Sequence, residues 1–126
     1  MIRRDASSGE VAGLIAQGML EKRGLKIVKL DLRKIHNSVV DYFIICHATS
    51  TTHADALAES VEEVVKKSTG QNPRQREGMQ LREWILIDYF DVVAHIFLEP
   101  VRSFYRLEEL WADAETEEIN EQYGKE

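Results

Sequence analysis

Alternation of apolar and polar residues is clearest between residues 84 and 97, where it predicts a β-hairpin. If Tyr89 and Phe90 form a two-residue turn, Asp88 lies opposite Asp91 and Trp84 lies opposite His95. One face of this hairpin is wholly apolar and requires a core, because it carries Ile85, Ile87, Val92, Ala94, Ile96 and Leu98. The other face mixes aromatic, aliphatic and ionisable side chains: Trp84, Leu86, Asp88, Asp91, Val93, His95 and Phe97. Such a mixture is typical of a surface that binds a partner.

Helical periodicity predicts two longer helices before the hairpin. Apolar residues recur at helical spacing from Gly9 to Arg23, and Gly24 ends this helix. Residues 49–52 supply N-cap candidates for the second helix, which ends near residues 69–70. Strands are predicted over residues 25–32 and 39–47, with a short edge strand or extended link over 73–78.

After the hairpin, Pro100 ends the second strand. Residues 101–111 are predicted to form one or two short helical turns, with inward-facing Phe104, Leu107, Leu110 and Trp111. Residues 113–126 contain six acidic residues and one lysine, which predicts a tail that is helical at first and then frayed.

This order of elements predicts one α/β domain, a mixed sheet of about five strands with helices on one face. The expected divisions are a flexible N-terminus over 1–8, the domain over 9–113, and an acidic tail over 114–126.

Composition narrows the possible partners. The chain has 126 residues and a formal net charge of −6, so little direct contact with nucleic acid is expected and a basic protein is favoured. The basic clusters at 21–26 and 73–76 are interpreted as a solvated helix end and loop.

No stretch approaches the roughly 20 apolar residues that span a bilayer. The single Cys46 excludes an internal disulfide and favours a reducing cytoplasm.

Candidate chemistry is sparse. The four histidines are scattered, and the proximity of Cys46, His47 and His53 is weak support for a metal site, so neither a metal nor a cofactor is predicted. Asp88 and Asp91 could form a carboxylate pair for magnesium or acid–base chemistry. The favoured interpretation is that one caps the turn and the other accepts a hydrogen bond from a partner.

Ordered motifs along the chain carry a family resemblance. They are Asp41–Cys46, Glu77–Gly78, Trp84–Tyr89, Asp91–Phe97, and Arg102 with Phe104–Tyr105, Leu107–Glu108 and Leu110–Asp113. Together they resemble the ribosomal silencing factor family, also called the Iojap family, over roughly residues 9–113. In that family the position of Phe90 is usually Gly and that of Ala94 is usually Val, so the geometry of the hairpin turn is open.

The resemblance implies a nucleotidyltransferase-like fold without evident nucleotidyltransferase activity. It also implies binding to ribosomal protein fourteen of the large subunit, where the small subunit docks, so that translation is repressed. Organellar relatives imply a second role in large-subunit maturation, and the free protein is expected to form a homodimer. The expected contact residues are Trp84, Leu86, Asp88, Tyr89, Asp91, His95, Phe97 and Tyr105.

Two alternatives remain open at this point. The acid pair and the inferred fold allow a nucleotide-utilising enzyme, which would require Asp88 and Asp91 to act together. A dimerisation module is the other alternative, in which the mixed hairpin face binds a second copy of the chain.

Overall fold

The computed structural model describes residues 6–120, which form a single α/β domain around one mixed sheet. The helices are α1 (Ser8–Glu21), α2 (Thr51–Thr69), α3 (Glu99–Tyr105) and α4 (Leu107–Leu110). The strands are β1 (Leu25–Asp31), β2 (Tyr42–Ala48), β3 (Gln75–Glu77), β4 (Trp84–Asp88), β5 (Val92–Leu98) and β6 (Glu115–Ile119). Their order across the sheet is β3-β4-β5-β2-β1-β6, and β2 with β5 is the parallel pair. The sheet therefore has six strands, one more than predicted.

Helices α1 and α2 pack together on the apolar face, as the sequence predicted. A capping box between Ser7 and Glu10 begins α1, and Ser50 caps α2 by accepting from the backbone of His53. The helices approach closely at Gly18, where an added Cβ would lie 2.7 Å from the Cα of Val61. The side chains of this interface and the sheet face beneath it make the main core of the domain.

The opposite face of the sheet is partly covered by α3 and α4, so these short helices lie outside the single helical layer that the sequence predicted. A second apolar cluster lies there, made of Leu30, Leu32, Ile45, Phe97, Leu107 and Ala114. Leu107 faces inward as predicted, but the prediction is wrong for Phe104 and Leu110, which are 78% and 76% exposed. The reason is Arg106, whose φ of 49° separates the two short helices, so that their side chains do not form one continuous inward-facing stripe.

The prediction of a helical tail is wrong for residues 115–119, because this segment forms the edge strand β6. It pairs antiparallel with β1, with Ile27 opposite Ile119. The ion pair between Lys29 and Glu117 spans 3.1 Å, and the side chain of Ile119 is buried in the main core. Acidic residues therefore occupy the exposed positions of a strand. The rest of the predicted tail, residues 121–126, and residues 1–5 of the predicted N-terminus lie outside the described residues.

The hairpin forms, but its register differs from the prediction. The backbone N–H of Tyr89 donates to the carbonyl of Val92 at 2.8 Å, so the two turn residues are Phe90 and Asp91. Trp84 consequently lies opposite Phe97, and Asp88 lies opposite Val93 rather than Asp91. The displacement is two residues, which preserves the predicted division of the hairpin into two faces. Its cause is Tyr89, whose buried ring continues the apolar face by one more position.

Candidate functional site

The candidate site is the hairpin platform, defined as Trp84, Leu86 and Asp88 on β4 with Val93, His95 and Phe97 on β5. It lies on the sheet face away from α1 and α2, and α3 borders one end of it. Trp84 and Leu86 are partly exposed, whereas the β5 members are buried. The neighbouring Tyr105 on α3 is 51% exposed. The accessible part of the platform therefore lies along β4 and α3.

Trp84 is held in place from several sides. Its indole Nε1–H donates to the Nδ1 of His95 at 3.1 Å. Ring centroids of Phe97 and Tyr105 lie 4.7 Å and 5.0 Å from that of Trp84. An indole fixed by a hydrogen bond and two aromatic neighbours presents its remaining surface with little rotamer freedom to lose on binding.

His95 acts as a positioning group for Trp84. Only 4% of the residue is exposed, and burial lowers the pKa of His95 to about 4, so the ring is neutral near pH 7. Since Nδ1 accepts the indole hydrogen bond, the proton of the neutral ring resides on Nε2. That Nε2 has no hydrogen-bond partner, and the Phe43 ring packs edge-on at a centroid distance of 4.6 Å.

Asp88 caps the turn, which confirms the interpretation that one of the two acids does so. Its Oδ1 accepts the backbone N–H of Phe90 at 2.7 Å, and its Oδ2 accepts from Arg74 Nη2 at 2.6 Å. Asp91 is exposed, and its backbone carbonyl accepts the N–H groups of Asp41 and Tyr42.

The alternative of a carboxylate pair is disfavoured, because Asp88 lies opposite Val93 rather than Asp91 and its Oδ2 forms an ion pair with Arg74. Within residues 6–120, no group of three or more His, Cys, Asp or Glu side chains could hold a metal ion.

Three predicted contact residues, Tyr89, His95 and Phe97, are almost fully buried and cannot touch a partner in this conformation. Tyr89 is 3% exposed and belongs to the main core, where its hydroxyl has no hydrogen-bond partner and burial raises its pKa. Phe97 is fully buried beneath Trp84 and in the second apolar cluster. Strand alternation placed Phe97 on the mixed face, but alternation cannot reveal that the ring of Trp84 covers this side chain. Tyr89 was expected in the turn, and the observed register instead pairs it with Val92 and directs its ring into the main core.

Arg102, one of the residues that carry the family resemblance, has a structural role. Its guanidinium is buried, with Nη1 donating to the carbonyl of Leu25 at 3.2 Å and to His47 Nδ1 at 3.0 Å. Nη2 forms an ion pair with Glu108 at 2.9 Å. These bonds fasten α3 and α4 to the ends of β1 and β2, and so place Tyr105 beside Trp84. No local signal could have identified them, since the partners lie 77 and 55 residues away along the chain.

The cavities found in residues 6–120 open elsewhere. Cavities of about 840 Å³ and 550 Å³ share Lys26, Arg102 and Glu108 in their walls, and no platform side chain lines either of them. A partly exposed aromatic surface that lies away from these cavities suits a macromolecular partner better than a small molecule. No helix within the described residues is long and apolar enough to cross a membrane.

Comparison with known proteins identifies the family. The family model described as "Ribosomal silencing factor during starvation" matches residues 5–126. This chain belongs to the ribosomal silencing factor family. The family is defined by regulation of the ribosome rather than by a known enzymatic activity.

Relatives of the ribosomal silencing factor family align over most of the chain. It is 34% identical to ribosomal silencing factor RsfS of Halalkalibacterium halodurans over 113 residues, covering 90% of this chain and 95% of the relative. It is 38% identical to RsfS of Bacillus subtilis over 94 residues, covering 75% and 78%. A mouse relative is named mitochondrial assembly of ribosomal large subunit protein 1, with 33% identity over 73 residues, covering 56% and 32%.

Solved structures carry the same fold as this ribosomal silencing factor. A Chromobacterium violaceum protein superposes with a TM-score of 0.80 at 32% identity, covering 85% of this chain and 88% of that one. A Bacillus halodurans protein superposes with a TM-score of 0.72 at 33% identity, covering 82% and 94%. The mixed α/β sheet is therefore shared by these neighbours.

Proposed function

We propose that this protein binds the large ribosomal subunit through ribosomal protein fourteen and sterically blocks association with the small subunit. Translation is repressed because large subunits carrying the protein are withdrawn from the joining reaction. The family supports the ribosomal setting, and the name of the mouse relative supports the choice of the large subunit. A role in large-subunit maturation is proposed on the same ground.

The observation that carries the proposal is the position of Trp84 beside Tyr105. Trp84 is held there by a hydrogen bond to His95 and by ring contact with Phe97. Tyrosine and tryptophan are over-represented among the residues that dominate binding energies at protein interfaces. Phe104 packs edge-on against Tyr105, at a centroid distance of 5.1 Å, and extends this aromatic surface outward. Together these three side chains supply an apolar centre that His95 and Phe97 hold rigid from below.

Charge favours a protein contact on the ribosome over an RNA contact. A chain with net charge −6 is repelled by the phosphate backbone, so we expect little direct contact with nucleic acid. The same charge attracts a basic ribosomal protein, and the exposed Asp91 lies at the rim of the platform, where a basic side chain can reach it.

Occlusion requires only that the bound protein occupies space. A chain of this length folds into a body roughly 35 Å across. A body of that thickness, bound on the face where the small subunit docks, prevents the two subunits from closing. The mechanism needs no cofactor and no turnover, and the two cavities described above open away from the platform. For the free protein we propose a cytoplasmic location and a homodimer.

Sedimentation with purified subunits tests the proposal. The protein should pellet with isolated large subunits and not with small subunits, and adding it before mixing should lower the fraction of joined ribosomes. A photoreactive phenylalanine analogue at position 105 should cross-link to ribosomal protein fourteen, identified by mass spectrometry. Equal pelleting with both subunits, or cross-links only to ribosomal RNA, would contradict the assignment.

A further inference from the structure

Phe90 at the tip of the hairpin combines a disfavoured backbone with an exposed aromatic ring. Its φ is 75°, in the left-handed region that a bulky side chain rarely adopts. Its side chain is 63% exposed, so burial in the core does not compensate for this conformation. Neither the residue type nor packing in the core favours this conformation. A strained, exposed residue of this kind is a candidate for a functional contact.

Neighbouring groups hold the ring in a defined position. The guanidinium carbon of Arg74 lies 4.8 Å from the centroid of the Phe90 ring. Asp88 joins the two residues, because it accepts the backbone N–H of Phe90 through Oδ1 and the Arg74 guanidinium through Oδ2. The backbone N–H of Arg74 also donates to the carbonyl of Asp88 at 2.7 Å. The hairpin tip, defined as Arg74 and Phe90, is therefore pre-ordered before any partner arrives.

The tip continues the platform. Asp88 belongs to the platform and touches both tip residues, and β4 runs from Asp88 back to Trp84. Five strand residues span roughly 15 Å, whereas a standard interface of about 800 Å² per partner is roughly 30 Å wide. One partner surface can therefore cover Trp84 and Phe90 together.

We propose that the hairpin tip is a second anchor for the partner that binds the platform, an inference that rests on the function proposed above. Phe90 enters an apolar depression on the partner protein. Arg74, which is half exposed while paired with Asp88, directs its remaining N–H groups to carbonyl or carboxylate acceptors at the edge of that depression. The acid Asp88 is then a positioning residue, and Phe90 and Arg74 are the groups that touch the partner.

Phe90→Gly separates binding from folding, because the two effects have opposite signs. Glycine adopts positive φ readily, so the thermal midpoint of this variant should equal or exceed that of the wild type. Its affinity for purified large subunits should fall about tenfold or more, as expected for loss of an interface anchor. Phe90→Asn, which also tolerates this backbone, should behave in the same way. Lys67→Ala is the control, since it trims an exposed side chain on α2, which packs on the opposite face of the sheet.

The outcomes distinguish this inference from the proposed function. Wild-type affinity in Phe90→Gly, with lost affinity in Trp84→Ala, would overturn the second anchor and leave the platform in place. A large fall in the thermal midpoint of Phe90→Gly would overturn it also, because the ring would then serve the fold. Failure of the wild-type protein to bind large subunits at all would overturn the proposed function and the anchor with it.

Discussion

Trp84 and His95 form the hydrogen bond that joins the exposed and buried parts of the platform. The indole Nε1–H donates to the imidazole Nδ1 at 3.1 Å, between residues that are diagonal neighbours on adjacent strands. A buried neutral imidazole thereby fixes a partly exposed indole. The orientation of the binding surface is consequently tied to the protonation state of a residue that the partner does not touch.

Acidification should destabilise the protein through His95. Its pKa is about 4 in the folded protein and about 6.5 in the unfolded chain, so the stabilisation is fully present above pH 6.5. It is lost as the pH falls from 6.5 towards 4. Between pH 7 and pH 5 this residue alone should remove about 2 kcal/mol from the free energy of unfolding. Urea denaturation at the two pH values measures that loss.

His95→Gln is the matched variant for this prediction. Glutamine can accept the indole hydrogen bond through its carbonyl oxygen and does not titrate, so its loss of stability between pH 7 and pH 5 should be smaller by about 2 kcal/mol. An identical pH dependence in the wild type and in His95→Gln would show that another group carries the effect. His47, whose pKa is lowered by burial and by Arg102, is the next candidate.

Phe97 should affect binding only through the fold. The side chain is fully buried, so Phe97→Ala should lower the free energy of unfolding by roughly 3–5 kcal/mol. Phe97→Leu, which keeps most of the volume, should retain a folded protein and near wild-type affinity for large subunits. A folded Phe97→Leu protein with strongly reduced affinity would instead restore Phe97 as a contact residue.

Asp88 and Asp91 should differ in the property that each controls. Asp88→Asn weakens the ion pair with Arg74 and the bond to the Phe90 backbone, and should lower the free energy of unfolding by about 1–2 kcal/mol. Asp91→Asn alters an exposed carboxylate, and should change stability by no more than about 0.5 kcal/mol. If Asp91 meets a basic partner, its variant should associate more slowly at low salt. Equal stability losses in the two variants would contradict the assignment of Asp88 as the turn cap.

The edge strand β6 should contribute to stability despite its acidic sequence. Ile119 is buried in the main core, so Ile119→Ala should lower the free energy of unfolding by about 2 kcal/mol. Glu118→Ala, at an exposed position of the same strand, is the control and should be nearly neutral. Equal effects, or none, would mean that residues 115–119 do not pair with β1 in solution.

Sequence patterns predicted the parts of the fold that depend on local periodicity. Helices α1 and α2, strands β1, β2, β4 and β5, and the two faces of the hairpin follow from the spacing of apolar residues. Strand β6 could not be predicted in this way, because Glu115, Glu117 and Glu118 have low strand propensity and only pairing with β1 orders them. The extent of the sheet therefore depended on a long-range contact.

The sequence predicted which residues make up the candidate site, but it did not predict which of them are exposed. Trp84 and Tyr105 lie where a partner can reach them, whereas Tyr89 and Phe97 are covered by other elements. Alternation assigns a side chain to a face, and it carries no information about what packs on that face. The register also escaped prediction, because Phe90 adopts a positive φ that its residue type disfavours.

The affinity of Trp84→Ala for purified large ribosomal subunits tests the central claim most directly. Trp84 is partly exposed at the centre of the proposed contact, so its removal should weaken binding about 30-fold or more while circular dichroism reports a folded protein. Lys67→Ala, an exposed change on α2, should bind as the wild type does. Wild-type affinity in a folded Trp84→Ala protein would contradict the claim that this platform binds the ribosome.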